Sequence, residues 1–525
     1  MITSVSKARY DWNPSRNQDD DFVLVSSFKW IIQQTVGWPM IAIFLIVMTA
    51  IIGSLVRDVY RTRWLRLPPG PLSLPFIGGL YLLSRKKPHI ALESLVIKYG
   101  KIFTIQMGVE GPLIFVNEVE VAKKLLKTSK MADRPMMPIF KHLSADGKDC
   151  IGCIPYGLQW KKQQRLCHAA LMDVQNLSLE DHVSYTMDIL FKWFDKQGGK
   201  PFDPAEVCEQ SLVLFQHSCI YGLRYESMKD LDFIHQVKTF AKSIKCLVPD
   251  HPLNLFPWLW YLPSEASKNF RSFVKERNDF LEEQVQNQKS GKCFPNNVLN
   301  HMLKTEQDSV DTMEIKVCAW TMNIGGSTTL SSTLKWLLLY LAHHRTLQKR
   351  LQQELDSVTE QGSSMKNTHD TPFTDAVIKE TMRISPPNPF GIPHTTNDDI
   401  HVENFVIPKG TNVMINIWQI HHDKNVWKNP RSFQPQRFLS EDGKTTNKQT
   451  MKNFMPFSGG ARPCIGRRTA RTFMHMFTIS LFKHFNVSLE QTDFEDIDIE
   501  GSMTFGLDPA PYKIRITRRE SSNIE

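Results

Sequence analysis

The chain has 525 residues, of which 41% are hydrophobic and 22% are charged, and its formal net charge is +9 at pH 7. This composition excludes a wholly disordered chain, and the length allows one very large core or about two to three ordinary domains. The sequence has no paired Cys/His zinc spacing, RNA-binding aromatic signature or long Lys/Arg run, so the positive charge predicts a membrane-facing or partner-facing surface and no nucleic-acid partner.

The first predicted element is a membrane anchor over residues 38–56, WPMIAIFLIVMTAIIGSLV, which follows an N-terminal extension over 1–37. These 19 uncharged residues match about the length that a helix needs to cross a bilayer. A buried core helix is the alternative. Arginines crowd the downstream flank, from Arg57 to Arg66, while the upstream flank carries an acidic run. By the positive-inside tendency, we expect an uncleaved single-pass anchor with the rest of the chain in the cytoplasm.

Residues 57–75 are predicted to form a basic, proline-rich hinge, because prolines at 68, 69, 71 and 75 prevent a continuous helix. Beyond the hinge, helical periodicity dominates. Helices are predicted over 90–99, 159–172, 180–196, 264–288, 312–357 and 464–485, and short strands over 102–108, 112–117, 405–418 and 512–518. The sequence therefore predicts one mainly α domain with a small β component over 76–518, and then a polar tail over 519–525.

Nine cysteines without a tight framework argue against a disulfide-stapled secreted domain. Cys150 and Cys153 form the one close pair, in DCIGC. The pair lacks a second CxxC or a nearby His pair, which disfavours zinc. The surroundings show no thioredoxin-like strand and helix, which also disfavours a redox pair. We expect most of the cysteines to be buried small apolar residues.

The long predicted helix contains NIGGSTTLSSTLKW, in which Gly325 and Gly326 weaken the helical ladder. Taken alone, this run is typical of a kinked core helix. Farther along, KETMR places Glu380 and Arg383 on one helical face, and FQPQRF supplies Arg437. An E-x-x-R pair alone is common on solvated helices.

Residues 455–466, MPFSGGARPCIG, place Cys464 in a glycine-rich loop ahead of an apolar helical run. Taken alone, such a cysteine could be a core residue, half of a disulfide, a nucleophile, a zinc ligand or an iron ligand. The F-x-x-G-x-R-x-C-x-G pattern resembles the haem-thiolate loop of the cytochrome P-450 family. The E-x-x-R pair, ADRP at 132–135, GLQWKKQQR and FGIPH extend the resemblance from Pro68 to Arg518, and it is strongest for the animal microsomal branch that oxidises steroids and xenobiotics.

The resemblance implies the cytochrome P-450 fold and haem b with the Cys464 thiolate as axial ligand, whose electron density favours O–O cleavage. It implies that Arg462 contacts a haem propionate and that Phe457 shields the sulfur. Gly460 and Gly466, together with Gly459, are expected to allow close backbone approach to the porphyrin.

Trp160 and His394 match positions that resemble haem-propionate contacts. The family's usual arginine four residues after that tryptophan is Gln164 here, and Arg165 follows it. Either Arg165 substitutes, or one propionate loses a charged partner. Glu380, Arg383 and Arg437 would form a buried structural network.

On the oxygen side, Thr329 matches the family's oxygen-activating hydroxyl, but Thr328 replaces the neighbouring acid. Ser327, Thr328 and water could relay protons in a monooxygenase, which is the preferred reading because Thr329 is intact. Alternatively, the enzyme could be an isomerase or dehydratase that needs no dioxygen cleavage. A haem-binding carrier or sensor without turnover is the third hypothesis.

The resemblance also implies partners and location. The chain has no Walker loop or Rossmann fingerprint of its own, so electrons are expected from an NADPH-dependent flavoprotein reductase, with cytochrome b5 as a second candidate donor. Two basic groups would attract this acidic partner: Lys161, Lys162 and Arg165, and Arg467, Arg468 and Arg471. The endoplasmic reticulum membrane, its lipids and a lipophilic substrate complete the expectations. The long helix is expected to line the substrate pocket at Asn323 and Gly326.

Overall fold

The structure is a computed structural model that describes residues 38–63, 66–74, 78–83, 86–107, 111–135, 150–247, 251–255, 257–305, 310–360, 370–490 and 497–520. The predicted extension over 1–37 and the last five residues of the predicted tail lie outside the described residues.

The described part of the chain is mainly α-helical, with short strands. The helices are α1 (Trp38–Arg63), α2 (Pro88–Tyr99), α3 (Val119–Lys127), α4 (Leu158–Leu177), α5 (Leu179–Gln197), α6 (Pro204–Gln216), α7 (Leu231–Leu247), α8 (Pro252–Leu255), α9 (Glu265–Lys289), α10 (Val298–Thr305), α11 (Thr312–His343), α12 (Arg345–Glu360), α13 (Pro372–Ile384), α14 (Ile417–His422), α15 (Lys448–Met451) and α16 (Arg467–His484). The strands are β1 (Ile102–Gln106), β2 (Pro112–Val116), β3 (His394–Thr395), β4 (Ile400–Val402), β5 (Phe405–Ile407), β6 (Asn412–Ile415), β7 (Phe485–Leu489), β8 (Ser502–Met503), β9 (Leu507–Asp508) and β10 (Ile514–Arg518).

Most of the strongly periodic segments form as predicted, and two predicted elements are divided. The helix predicted over 312–357 is two helices, because His344 leaves helical geometry (φ −85°, ψ 70°) between α11 and α12. The strand predicted over 405–418 separates into β5, β6 and the start of α14. Helices α3, α6, α7 and α10 were not among the predicted segments.

Helix α11 is the central element of the fold. Most of its side chains are buried, and it packs against α6, α10 and α13. The indole of Trp336, which is fully buried, donates a hydrogen bond to the Leu507 carbonyl (2.9 Å). This bond ties the helix to the hairpin of β8 and β9.

The main sheet has the order β1-β2-β6-β3, in which β2 and β6 are parallel and the other two pairings are antiparallel. Leu113 pairs with Asn412 in the parallel ladder. Three two-stranded sheets pair β10 with β7, β4 with β5, and β8 with β9. The four-stranded sheet packs its buried side chains against α3, which positions the loops described below.

Helix α1 begins at the residue predicted for the anchor and continues beyond it to Arg63. Its apolar side chains from Met40 to Val47 are exposed, with Ile46 at 67%. Among the described residues, no helix reaches the length and hydropathy of a membrane span. The predicted anchor thus stays a prediction.

The predicted polar tail begins too early, because Arg519 belongs to the folded body. Its backbone N–H donates to the His484 carbonyl (2.9 Å), and its guanidinium forms an ion pair with Asp356 (2.7 Å).

The carboxylate of Glu380 holds the segment that precedes the Cys464 loop. It accepts bonds from Arg383 Nε (2.7 Å) and Nη2 (2.9 Å), from Arg437 Nε (3.1 Å) and from the Gln434 backbone (2.9 Å). The Glu380 and Arg383 side chains are completely buried. The predicted E-x-x-R pair is therefore not a solvated helix pair but the centre of a buried network.

We predict that Glu380→Ala lowers the free energy of unfolding by about 3–5 kcal/mol, because it leaves two arginines without their buried partner. Chemical denaturation followed by circular dichroism measures the change. Glu120→Ala is the matched control, since Glu120 pairs with Lys123 at the same i,i+3 spacing on the surface of α3. The control should change stability by less than about 1 kcal/mol. Equal losses in the two variants would contradict a special role for the buried network.

Candidate functional site

The loop before α16 presents Cys464 through a tight backbone turn. The Cys464 N–H donates to the Phe457 carbonyl (3.0 Å), and the backbone of Ser458 (φ 56°) and Gly460 (φ 69°) is left-handed. The Ala461 N–H donates to the Leu126 carbonyl at the end of α3 (3.2 Å). The loop is therefore fixed against the helix that packs on the main sheet.

Gly460 has a packing role in this structure, and its predicted role towards the porphyrin stays a prediction. A Cβ atom added there would lie 1.8 Å from the Leu126 carbonyl oxygen, so glycine is required for packing against α3. Added Cβ atoms at Gly459 and Gly466 would meet nothing within 4 Å. For those two glycines, close approach to a porphyrin stays a prediction.

The Cys464 sulfur lies at the start of α16. The side chain is exposed by surface area, yet surrounding protein desolvates the thiol and raises its pKa. An exposed side-chain surface and a desolvated thiol are consistent with a sulfur that faces an interior space of the protein rather than bulk solvent. The backbone N–H groups of Gly466 and Arg467 oppose the shift by donating to the sulfur. Two amides at a helix start favour the thiolate, which is the form that binds metals.

A group of buried cations lies beside this loop. Arg462 is buried, donates through Nη2 to the Ile154 carbonyl, and places its guanidinium 4.9 Å from the ring centre of Trp160. Its Nε and Nη1 atoms are buried and have no hydrogen-bond partner among the described residues. Arg134 donates to the carbonyls of Ile392 (2.7 Å) and Pro393 (2.8 Å), while its own Nε is also buried with no partner in the described part of the chain.

Burial and mutual repulsion act on the same cations. Desolvation lowers the pKa of Arg134 to about 9, with the Arg462 charge adding to the shift. His394 lies buried near both arginines; its Nδ1–H donates to the Met131 carbonyl (2.8 Å), and burial lowers its pKa to about 3. The negative charge of the Asp133 carboxylate acts on Arg462 and raises its pKa, against the larger effect of burial. Orphaned donors on two arginines call for further anionic acceptors, so these residues fit the propionates of a haem.

The structure brings Trp160, His394 and Arg462 together as predicted, but it does not bring in Arg165. Arg165 is exposed and lies five residues after Trp160, which is about 140° around α4. The hypothesis that Arg165 takes the role of the arginine that is absent at position 164 is therefore wrong.

Arg134 is the functional candidate that sequence reasoning missed, although ADRP was noted as a motif. A backbone hydrogen bond from Thr395 N to the Asp133 carbonyl (2.9 Å) joins this segment to β3 and so places Arg134 near His394. Only this long-range pairing reveals that the arginine joins the group.

The distal elements of the site lie on α11. Thr329 Oγ1 donates to the Gly325 carbonyl (2.8 Å), and Thr328 Oγ1 donates to the Ile324 carbonyl (3.0 Å). Gly325 is exposed, and an added Cβ atom would meet nothing within 4 Å, although its helix runs through the core. The open face of α11 therefore carries Gly325 and Thr329.

The face expected to line the substrate pocket is packed instead. A Cβ atom on Gly326 would lie 2.2 Å from the Gln216 amide nitrogen, and the Asn323 side chain is buried. Ser327, which was considered for a proton relay, is buried with its hydroxyl unpartnered. Its position beside Gly326 places it away from the open face.

A family model described as Cytochrome P450 matches residues 68–516 of the chain. The chain belongs to the cytochrome P450 family. Cytochrome P450 2D3 of Rattus norvegicus is 31% identical over 503 residues, covering 92% of this chain and 98% of the relative. Cytochrome P450 2D10 of Mus musculus is 30% identical over 508 residues (93% and 99%). Steroid 17-alpha-hydroxylase/17,20 lyase of Squalus acanthias is 29% identical over 475 residues (87% and 92%).

Membership makes the protein a cytochrome P450 oxidoreductase, and the family implies a haem-thiolate cofactor. The mainly helical fold with small sheets is the one predicted from the sequence. Membership of the P450 family is the ground for assigning the cysteine loop, the buried cations and the glycine-containing helix to one candidate site.

We predict that Arg134→Gln accelerates haem loss by about tenfold or more, because a charge-assisted hydrogen bond contributes about 1.5–3 kcal/mol. Transfer of haem from the purified protein to a haem-scavenging globin measures the rate. Arg165→Gln removes a nearby arginine that is exposed on α4 and should leave the rate unchanged. The assignment of Arg134 is contradicted if both variants lose haem at the same rate.

Proposed function

We propose that this cytochrome P450 inserts one atom of dioxygen into a lipophilic substrate, using electrons from a separate NADPH-dependent flavoprotein reductase. The steroid, fatty acid and xenobiotic classes remain the candidate substrates. The shark relative is named as a steroid hydroxylase and lyase, which supports a lipophilic substrate for this chain.

The observation that carries the proposal is the environment of the Cys464 sulfur. The thiolate would be held by two backbone amides and would face an interior space, with unpartnered cationic donors nearby. When bound, a haem with this thiolate ligand supplies the chemistry of dioxygen activation. Arg462, Arg134, Trp160 and His394 would hold its propionates.

Thr329 is proposed as the catalytic hydroxyl on the open face of α11. Its proton is donated to the Gly325 carbonyl, so its oxygen lone pairs are available to accept a hydrogen bond from water. Thr328 cannot supply a proton as a carboxylic acid does, since its hydroxyl pKa lies far outside the working range. This difference favours a proton route through water and hydroxyl groups.

The proposed reductase surface joins two exposed basic groups. Lys161, Lys162 and Arg165 are exposed on α4, and Arg467 and Arg468 are exposed at the start of α16. Arg468 Nη1 lies 3.8 Å from the Met172 sulfur of α4, which supports placing both groups on one surface. Such a surface would attract an acidic reductase or cytochrome b5 and would weaken with added salt.

Membrane attachment is proposed from exposed apolar side chains. Those of α1 would form a single-pass anchor over 38–56. The helix continues to Arg63, so the proposed proline-rich hinge lies between Arg63 and the catalytic domain from residue 76. Trp258 and Tyr261 are 58% and 84% exposed, and such rings favour the membrane interface. The microsomal character of the P450 branch supports the endoplasmic reticulum membrane, with the catalytic domain facing the cytoplasm.

We predict that the reduced protein with carbon monoxide shows the red-shifted Soret band of thiolate ligation, and that Cys464→His replaces it with an imidazole-type band. Reductase-supported NADPH oxidation in the presence of substrate should yield an oxygenated product. An imidazole-type spectrum in the unmodified protein would contradict the ligand assignment. Rearranged or dehydrated product without NADPH use would favour the isomerase or dehydratase alternative, and an absence of turnover would favour a carrier or sensor.

We predict that Thr328→Glu raises the fraction of consumed NADPH that appears as product severalfold, because a positioned general acid contributes factors of about 10² to 10⁴ to proton transfer. Product, NADPH and hydrogen peroxide are measured together. Thr328→Gln has nearly the same size without the acid and should show no gain. Equal coupling in the Glu and Gln variants would mean that proton delivery at this position does not limit turnover.

A further inference from the structure

Cys150 and Cys153 lie in a tight turn ahead of α4. The Cys150 carbonyl accepts hydrogen bonds from the Cys153 N–H (2.9 Å) and the Ile154 N–H (3.1 Å). In a turn of this kind the first and fourth Cα atoms lie within about 7 Å. A disulfide needs a Cα separation of about 4.4–6.8 Å. The turn therefore brings the two residues to about the separation that a disulfide needs.

The pair sits among buried cations. Arg277 of α9 is 2% exposed, and the Cys150 charge acts on its guanidinium. Arg462 interacts electrostatically with both cysteines, and Arg134 interacts with Cys153. A thiolate in this position therefore faces positive charge from three separate parts of the chain.

Hydrogen-bond donors close to Cys150, like the cations, stabilise its thiolate form. Hydrogen bonds from the Cys153 thiol and from the amides of Gly152 and Cys153 help to outweigh burial and lower the pKa of the Cys150 thiol. Burial raises the pKa values of Cys208 and Cys219 to about 12. Cys150 thus differs from the structural cysteines in the core.

We propose that Cys150 and Cys153 are a reversible redox site, at which a peroxide oxidises the dithiol to a disulfide. The expectation that this CxxC pair has no redox role came from the absence of a thioredoxin-like strand and helix. In this chain the necessary turn and cations come instead from distant segments. In the described part of the chain, no group of three or more His, Cys, Asp or Glu side chains is arranged to hold a metal.

The reaction balances in two steps. Cys150 is the attacking thiolate because it is partly accessible, whereas Cys153 is buried. Cys150 sulfur attacks one peroxide oxygen, the O–O bond breaks, and the leaving hydroxide takes a proton to form water. The Cys153 thiolate then attacks the sulfenic sulfur, and the S–S bond forms as the second hydroxide leaves and is protonated. Hydrogen peroxide and two thiols thus give one disulfide and two waters.

The redox site is connected to the cation group of the active site. Ile154 is adjacent to Cys153, and its carbonyl accepts the Arg462 hydrogen bond. Closing the disulfide also removes the negative charge that Arg462 and Arg277 share at this turn. Oxidation would therefore alter the surroundings of a residue that fits a haem propionate.

The test uses the haem-bound, full-length protein and small additions of hydrogen peroxide. After acid quenching and alkylation with N-ethylmaleimide, trypsin releases the peptide 149–161, which contains Cys150 and Cys153 and no other cysteine. A dithiol peptide carries two maleimides, whereas a disulfide peptide carries none and is lighter by two hydrogens than the unlabelled dithiol. We expect this peptide to lose its labels severalfold faster than the single tryptic peptide that carries both Cys208 and Cys219, and to recover them after treatment with a dithiol reductant.

Variants separate the pair from general oxidation. Cys153→Ser should leave Cys150 as a sulfenic acid that dimedone traps, and Arg277→Gln should slow the oxidation of Cys150 severalfold. Arg277→Lys keeps the charge and should preserve the rate if Arg277→Gln fails to fold. Cys246→Ser changes a cysteine on α7 and should leave the oxidation of peptide 149–161 unchanged.

Three results would overturn the proposal. Peptide 149–161 could retain both labels while the core cysteines are oxidised. Cys150 could instead proceed to sulfinic acid without forming the disulfide. The disulfide could also form without being reversed by the reductant. The mass readout is independent of turnover, so none of these results depends on the proposed monooxygenase activity.

Discussion

The buried Glu380 carboxylate is the interaction on which the cysteine side of this P450 depends. It binds Arg383 and Arg437, and Arg383 in turn donates to the carbonyls of His421 (2.7 Å) and Pro430 (2.8 Å). The His421 ring accepts the Met455 N–H (3.1 Å) at the start of the loop that carries Cys464. Burial lowers the pKa of His421 to about 3, which keeps this nitrogen free to accept. One desolvated carboxylate thus fixes a long irregular segment, because each buried polar group in it needs its partner.

A second constraint is the positive charge of two buried arginines, whose donors lack a full set of acceptors in the described part of the chain. Among the described residues, Arg134 and Arg462 bury donors that have no acceptor, a costly arrangement unless an anion is bound. The same guanidinium groups reach the turn with Cys150 and Cys153. The cation group therefore links the Cys464 loop to a pair of thiols, and the charge at either place affects the other.

The central helix contributes two chemically different faces. One face packs closely against α6, where Gly326 gives room to Gln216. The other face is open at Gly325 and carries the hydroxyl of Thr329. Two adjacent glycines therefore serve separate purposes: one permits helix packing, and the other borders the site.

The sequence by itself determined the class of the fold and the main ligand. Helical periodicity, the order of the E-x-x-R pair and the cysteine loop, and the residue types around Cys464 are local or linear properties, and they led to the P450 family. Only the tertiary structure decided which side chains meet. Arg134 joins the site through pairing with β3, Arg165 turns away on α4, and Arg277 reaches Cys150 from α9. Such contacts depend on helix orientation and on pairing between distant segments, so spacing along the chain could not reveal them.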